Sequence, residues 1–159
     1  MPETTERLSR RLAEEGQKTL QFFSSLSVKE WAHTVYVDSA QWTVYQVLAH
    51  FLITEAGIRA LMQNILMGGA GVPQDFDINN YNERKVDDFG EVAPKEILAR
   101  FQAERQATIE WLDGLSAEDL LKTGRHPWLG IAPLEVMIQL LYRHNQIHQR
   151  DIRKLLSEG

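Results

Sequence analysis

The amino-acid sequence predicts an all-α protein, a four-helix bundle built from two helical hairpins joined by a long crossover between the second and third helices. Three observations lead there. Apolar residues recur at spacings of three and four along four separate stretches, the period of an amphipathic helix. Strand signals are sparse. The segment 68–93, between the second and third stretches, is too long for a simple hairpin loop and long enough to travel a bundle's length between parallel neighbours. An up-down-up-down bundle with one large functional loop is the competing arrangement.

The elements follow in order. A first helix is expected from Glu3 to Ser24, with Leu8, Leu12, Leu20 and Phe23 on its apolar side. A second is expected from Ala40 to Met67, with Asp38 or Ser39 as its N-terminal cap, and the run GGAGVP stops it. The third begins near Pro94, a residue suited to a helix's first turn, and carries Ile97, Leu98, Phe101, Ile109 and Leu112. The fourth runs from about Pro133 to Leu156. Short helical turns are expected at LSVKE and LSAED, where a serine precedes an acidic residue by three, the spacing of a capping box.

A faint internal echo supports paired hairpins. With an offset of 89 residues, Leu26-Ser27 falls on Leu115-Ser116, Arg11 on Arg100, Glu15 on Glu104 and Val47-Leu48 on Val136-Met137. The same offset places Glu55 on His144. Amphipathic helices also produce such matches by chance, so duplication and coincidence both remain open at this point.

Composition bounds the function. The chain has 159 residues and a net charge of -5, which suits a single domain over residues 1–159 with a sizeable core. Acidic and basic residues are interspersed and no basic stripe stands out, so nucleic acid is not expected as a partner. No apolar run is long enough for a membrane span and the N-terminus has no hydrophobic signal region, so a cytoplasmic protein with no membrane partner is expected. There is no cysteine. A metal would have to be held by histidine, carboxylate or water.

The histidines carry the strongest chemical signal. In the last helix, Leu134, Met137, Leu141, His144, His148, Ile152 and Leu155 form one seam. His144 and His148 therefore interrupt an apolar stripe one turn apart, where both imidazoles can reach one ion. Asn145 follows the first of them, where a zinc peptidase helix would need glutamate, so the motif is absent and that class is disfavoured. His50, in QWTVYQVLAHF, lies near the core boundary of the second helix. Three neutral imidazoles from two helices make an open metal site. Core histidines satisfied by hydrogen bonds are the alternative. His126, in GRHPWLG, is read as a structural loop residue at the pocket mouth.

The segments QWTVYQVLAHF, YRHNQIHQRDI, LSVKEW and GRHPWLG…PLEVM, in that order and spacing, resemble the DinB-like (DinB/YfiT) superfamily of metal-binding four-helix-bundle proteins. The resemblance covers nearly the whole chain. It implies two hairpins joined by a crossover, and a metal site at His50, His144 and His148 occupied by nickel or zinc. It also implies a homodimer. Some members of that family use a low-molecular-weight thiol as transferases or isomerases, and others are hydrolase-like.

The leading expectation is thus a metal-dependent enzyme acting on a small molecule, as a thiol-dependent transferase or a hydrolase. The alternatives are a non-catalytic binder of metal or small ligand, and a structural bundle with core histidines. Three further residues are candidates for the pocket or for supporting the ligands. Glu55 is a possible general base or a packing-edge residue. Asp151 either orients a ligand imidazole or pairs with Arg150 or Lys154 at the surface. Asn82, in NNYNERKV, either touches a ligand or starts a helix. Trp42 and Tyr45 either line the pocket or pack in the core.

Overall fold

Helical periodicity and capping residues together fix the elements. The structure is a computed structural model describing residues 3–36 and 41–158. The four longest helices are α1 (Thr5–Ser24), α3 (Val44–Leu66), α5 (Pro94–Asp113) and α7 (Leu134–Glu158). Between them lie α2 (Val28–Trp31), α4 (Ile78–Phe89), α6 (Ala117–Leu120) and a hairpin of β1 (Thr123–His126) and β2 (Gly130–Pro133). Both serine-led turns form as expected, with reciprocal capping boxes between Ser27 and Glu30 and between Ser116 and Asp119. Helix α3 starts later than the sequence suggested. Its cap is Thr43, which accepts from the Gln46 amide while the Gln46 side chain answers the Thr43 amide. Asp38 and Ser39, the expected caps, lie outside the described residues.

Two elements were not legible as such. The crossover holds helix α4, capped by Asp77, whose side chain accepts from the Asn80 amide. Its stripe of Ile78, Tyr81, Val86 and Phe89 has helical spacing, but eight of its twelve residues are charged or asparagine and obscure it. The short β-hairpin pairs Thr123 with Pro133 and His126 with Gly130. It also anchors the crossover: the Val72 amide donates to Arg125 O at 3.0 Å, and the Arg125 amide donates to Ala70 O at 2.9 Å. Gly71 makes that approach possible. Its φ is +94°, and a Cβ there would lie 2.4 Å from the Arg125 carbonyl oxygen.

The bundle is four-helical, with the crossover where the sequence placed it. Helix α3 runs parallel to α5, because Phe51, Glu55 and Arg59 meet Phe101, Arg105 and Thr108 in order. The segment between these helices therefore returns the length of the bundle. Helix α1 is parallel to α7 and antiparallel to α5, with Ser9 bonded to Asp113 and Thr19 to Gln149. Among the four long helices, α1 and α3 each pack on α5 and α7 and hardly on each other, so the two long helices from each half of the chain occupy diagonal corners.

Both halves repeat the same plan. Helices α1 and α5 begin and end 89 residues apart, and so do α2 and α6. A single bridge, Thr34 to Thr43, stands where β1 and β2 pair in the second half. The Val44 amide donates to His33 O, and the Leu134 amide donates likewise to Lys122 O. The second loop is one residue longer, so beyond it the offset becomes 90 and the buried sets Val44, Val47, Leu48, Phe51 and Leu134, Met137, Ile138, Leu141 coincide. Glu55 consequently corresponds to Asn145 and not to His144, which corrects the uniform offset read from the sequence. Even a polar clasp recurs: Arg59 donates to Thr108 Oγ1 at 3.1 Å, and Gln149 donates to Thr19 Oγ1 at 2.8 Å.

The core has two apolar ends and a polar middle. One end holds Leu8, Leu12, Met62, Leu112, Leu134 and Met137, the other Phe23, Val47, Phe51, Ile97, Phe101 and Ile152. Each of these fully buried side chains contributes roughly 1.5–3 kcal/mol on leaving water. Between the ends lie Glu55, Arg105, Thr108, Gln149, Asn145 and the cluster of His50, His144 and His148. Among the described residues, no helix is long and apolar enough to cross a membrane.

Candidate metal centre

Helix α3 and the antiparallel helix α7 bring three imidazoles to one point. Four-residue spacing on α7 stacks His144 and His148 on the face turned to α3, and His50 meets them from the other side. His50 Nε2 lies 3.0 Å from His144 Nε2, and His148 Nε2 lies 2.9 Å from the same atom. One donor nitrogen from each ring lies within 4.8 Å of the others. His50 is 2% exposed and His144 is 9% exposed, so two of the three rings are withdrawn from water.

The outer nitrogens define the tautomers. Tyr36 Oη is 2.6 Å from His148 Nδ1 and 2.6 Å from Asp151 Oδ2. Tyr36 has one proton. Donated to the Asp151 carboxylate, it leaves the phenol oxygen to accept from His148 Nδ1–H, and His148 Nε2 is then a bare lone pair. His50 Nδ1 faces Thr54 Oγ1 at 3.4 Å, a hydroxyl that can accept from Nδ1–H and so permits the same tautomer there. His144 Nδ1 is buried without a partner. A proton on His144 Nε2 can satisfy one of its two short contacts and not both. A cation at the meeting point of the three Nε2 lone pairs resolves that conflict, so the donor set fits a divalent metal that accepts imidazole.

Burial keeps the rings neutral, the state a metal requires. Loss of solvation pushes His50 down to about 3, aided by the neighbouring His148. It pushes His148 down to about 4, although Asp151 pulls the other way. His144 is held well below the ordinary histidine value by burial first and by His50, His148 and His126 after it. Burial also raises the Tyr36 phenol well above its ordinary value, with Asp151 adding to the effect.

Aromatic rings wall the cluster. Trp42 lies over His50 with centroids 4.7 Å apart, and Trp128 over His144 at 5.4 Å. Tyr45 stands elsewhere, bonding through its hydroxyl to the carbonyl oxygens of Val92 and Gly90. Asp151 reaches His148 through Tyr36, a connection that spacing along the helix did not reveal. Tyr36 itself was missed because it comes from the loop after α2.

Glu55 is neither a base at the cluster nor a packing-edge residue. It is 2% exposed and gripped by Arg105, with both oxygens 3.0 Å from guanidinium nitrogens. Asn82 is not a cap. It sits inside α4, 8% exposed, on the wall of a cavity beside the cluster. His126 is buried in β1, its Nδ1 accepting from the Trp128 and Leu129 amides at 3.1 and 3.3 Å.

Fold and cluster define a class: four-helix bundles with a long crossover and a histidine triad between two antiparallel helices. The chain belongs to the DinB superfamily, whose pattern matches residues 11–152. No curated protein sequence matches it. Among solved structures it is similar to YfiT from Bacillus subtilis, described as a probable metal-dependent hydrolase with an unusual four-helix bundle topology. That match has a TM-score of 0.79 at 19% identity and covers 97% of this chain and 86% of YfiT. A mycothiol-dependent maleylpyruvate isomerase matches with a TM-score of 0.74 at 12% identity, over 94% of this chain and 61% of the isomerase.

A third similar structure is the colibactin self-resistance protein ClbS, in complex with double-stranded DNA. It matches with a TM-score of 0.76 at 14% identity, over 99% of this chain and 98% of ClbS. That finding overturns the exclusion of nucleic acid drawn from interspersed charges and the lack of a basic stripe. Linear order is blind to what folding gathers: Arg7, Arg10 and Arg11 from α1 join Arg143 from α7 in lining one hollow, with Glu3 at its edge.

Proposed function

We propose that the protein is a metal-dependent enzyme acting on a small molecule, with His50, His144 and His148 holding a divalent cation, nickel or zinc, through Nε2. The observation that carries this reading is the convergence of the three nitrogens, with His144 Nε2 3.0 and 2.9 Å from the other two. A cation held by three neutral imidazoles keeps positions free and strongly acidifies a water or thiol that joins it. Tyr36 and Asp151 fix the plane of His148, and Thr54 that of His50. Trp42 and Trp128 limit the approach of solvent.

Between hydrolysis and thiol transfer, the surroundings favour thiol transfer. Hydrolysis calls for a general base beside the reacting water. Among the described residues, the nearby carboxylates are engaged: Glu55 with Arg105, and Asp151 with Tyr36. A coordinated thiol is deprotonated outright, whereas a coordinated water only approaches ionisation near neutral pH and gains more from a base beside it. The isomerase relative is mycothiol-dependent, in keeping with this choice.

The test is elemental analysis of the untagged protein and of its His50→Ala and His144→Ala variants. Near-stoichiometric metal in the parent and its loss in both variants is the expected result. A parent that takes up neither nickel nor zinc ends the proposal. With the loaded protein, consumption of a low-molecular-weight thiol in the presence of an uncharged electrophile separates transfer from hydrolysis.

A further inference from the structure

A cavity of about 330 Å³ lies against the histidine cluster, between α3, α4 and the turn of the β-hairpin. Thr54 and Trp128 line it, and both also touch the cluster: Thr54 through His50, Trp128 through the His144 ring. The rest of its wall is aliphatic or aromatic, including Ile58, Leu61, Phe76 and Tyr81, and no lining residue is charged. Besides the hydroxyls of Thr54 and Tyr81, one carboxamide breaks this surface. Asn82 is 8% exposed and lines the cavity, where its carboxamide can offer hydrogen bonds. The carboxamide faces the cavity with its hydrogen-bonding capacity free, so a molecule that displaces water from this apolar space gains by pairing with it.

We propose that this cavity is the substrate pocket and that its substrate is uncharged: an apolar body about the size of one substituted aromatic ring, carrying a carbonyl or amide group that pairs with Asn82. The inference rests on the metal reading for the direction of the reactive end, toward Thr54, Trp128 and the triad. The chemical class follows from the wall alone. A carboxylate or ammonium entering here would lose its hydration and find no opposite charge. The amide of Asn82 offers one acceptor and two donor hydrogens, which suits a neutral carbonyl or amide.

Phenylacetamide and phenylacetate, alike in shape and different in charge, test this by calorimetric titration into the full chain, metal-loaded and metal-stripped. Stripping removes the route by which phenylacetate would bind a cation. Phenylacetamide should bind both forms, and phenylacetate should bind the stripped form at least about tenfold more weakly. Gly57→Leu should fill the cavity, since a Cβ there meets only the Tyr81 hydroxyl at 3.9 Å. It should abolish phenylacetamide binding and leave metal content unchanged. Asn82→Ala should weaken phenylacetamide by about two- to tenfold and leave ethylbenzene unaffected. Equal binding of the two probes to stripped protein, or phenylacetamide binding that survives Gly57→Leu, overturns the proposal. If no preparation takes up metal but the Gly57 effect stands, the metal reading fails and the pocket assignment survives.

Discussion

The Tyr36 hydroxyl stands 2.6 Å from His148 Nδ1, so a residue from the loop after α2 holds a ring on the last helix. Asp151, one turn beyond that ring, holds the hydroxyl in turn. Tyr36→Phe keeps the ring and removes the link. Metal affinity should fall by about 10–100-fold, as for other partners that orient a ligand imidazole. Competition with a chromophoric chelator measures it. Asp151→Asn, which keeps an oxygen acceptor, should cost less.

Stability of the metal-free protein should fall as the solution is acidified. His50, His126 and His148 have folded values of about 3, 4 and 4, below the ordinary 6.5. Below pH 6.5 the unfolded chain takes up protons that the folded chain refuses, so acid favours unfolding. The loss begins near pH 6.5 and continues to about pH 3, where His50 titrates, and it amounts to roughly several kcal/mol in all. Urea midpoints at pH 7.5, 6 and 5 should decline in that order. A flat profile would show that the rings titrate normally.

Arg105→Met should destabilise the bundle by about 3–5 kcal/mol, because it leaves the Glu55 carboxylate buried without its partner. The double variant Glu55→Leu/Arg105→Met should recover much of that loss. Metal content of the double variant should equal the parent's, since neither residue touches the triad. Loss of metal in that variant would return Glu55 to the site.

Gly71→Ala should strain a φ of +94° and press a methyl group against the Arg125 backbone. A cost of about 1–3 kcal/mol is expected for such strain. Because the contact ties the crossover to β1, amide exchange at Val72 and Arg125 should quicken before the helices respond.

Much of this was legible in the sequence. The seam through His144 and His148 sat one turn apart on an apolar stripe, and the serine caps had a fixed three-residue signature. The length of 68–93 implied a parallel crossover, because chain reach is a matter of counting. Helix α4 was not legible, because its apolar stripe is thin and its surface crowded with charge. Asn82 looked like a cap because asparagine caps well in general. Its burial depends on how α4 docks on α3, which no local pattern encodes. Tyr36 and Arg105 act on residues far along the chain, and a single sequence carries no record of such pairs.

The diagonal placement of α1 and α3 bears on how the chain folds. A hairpin whose two helices do not lie side by side cannot shelter its own apolar surface. Neither half therefore has a refuge before the other arrives, and docking of the halves and burial of the core become one event. Folding should be all-or-none over the bundle, with no half-folded state stable enough to accumulate. The long return segment sets the pace, because contacts between the halves close large loops. Two fragments cut within that segment should each be largely unstructured alone and regain helix when mixed.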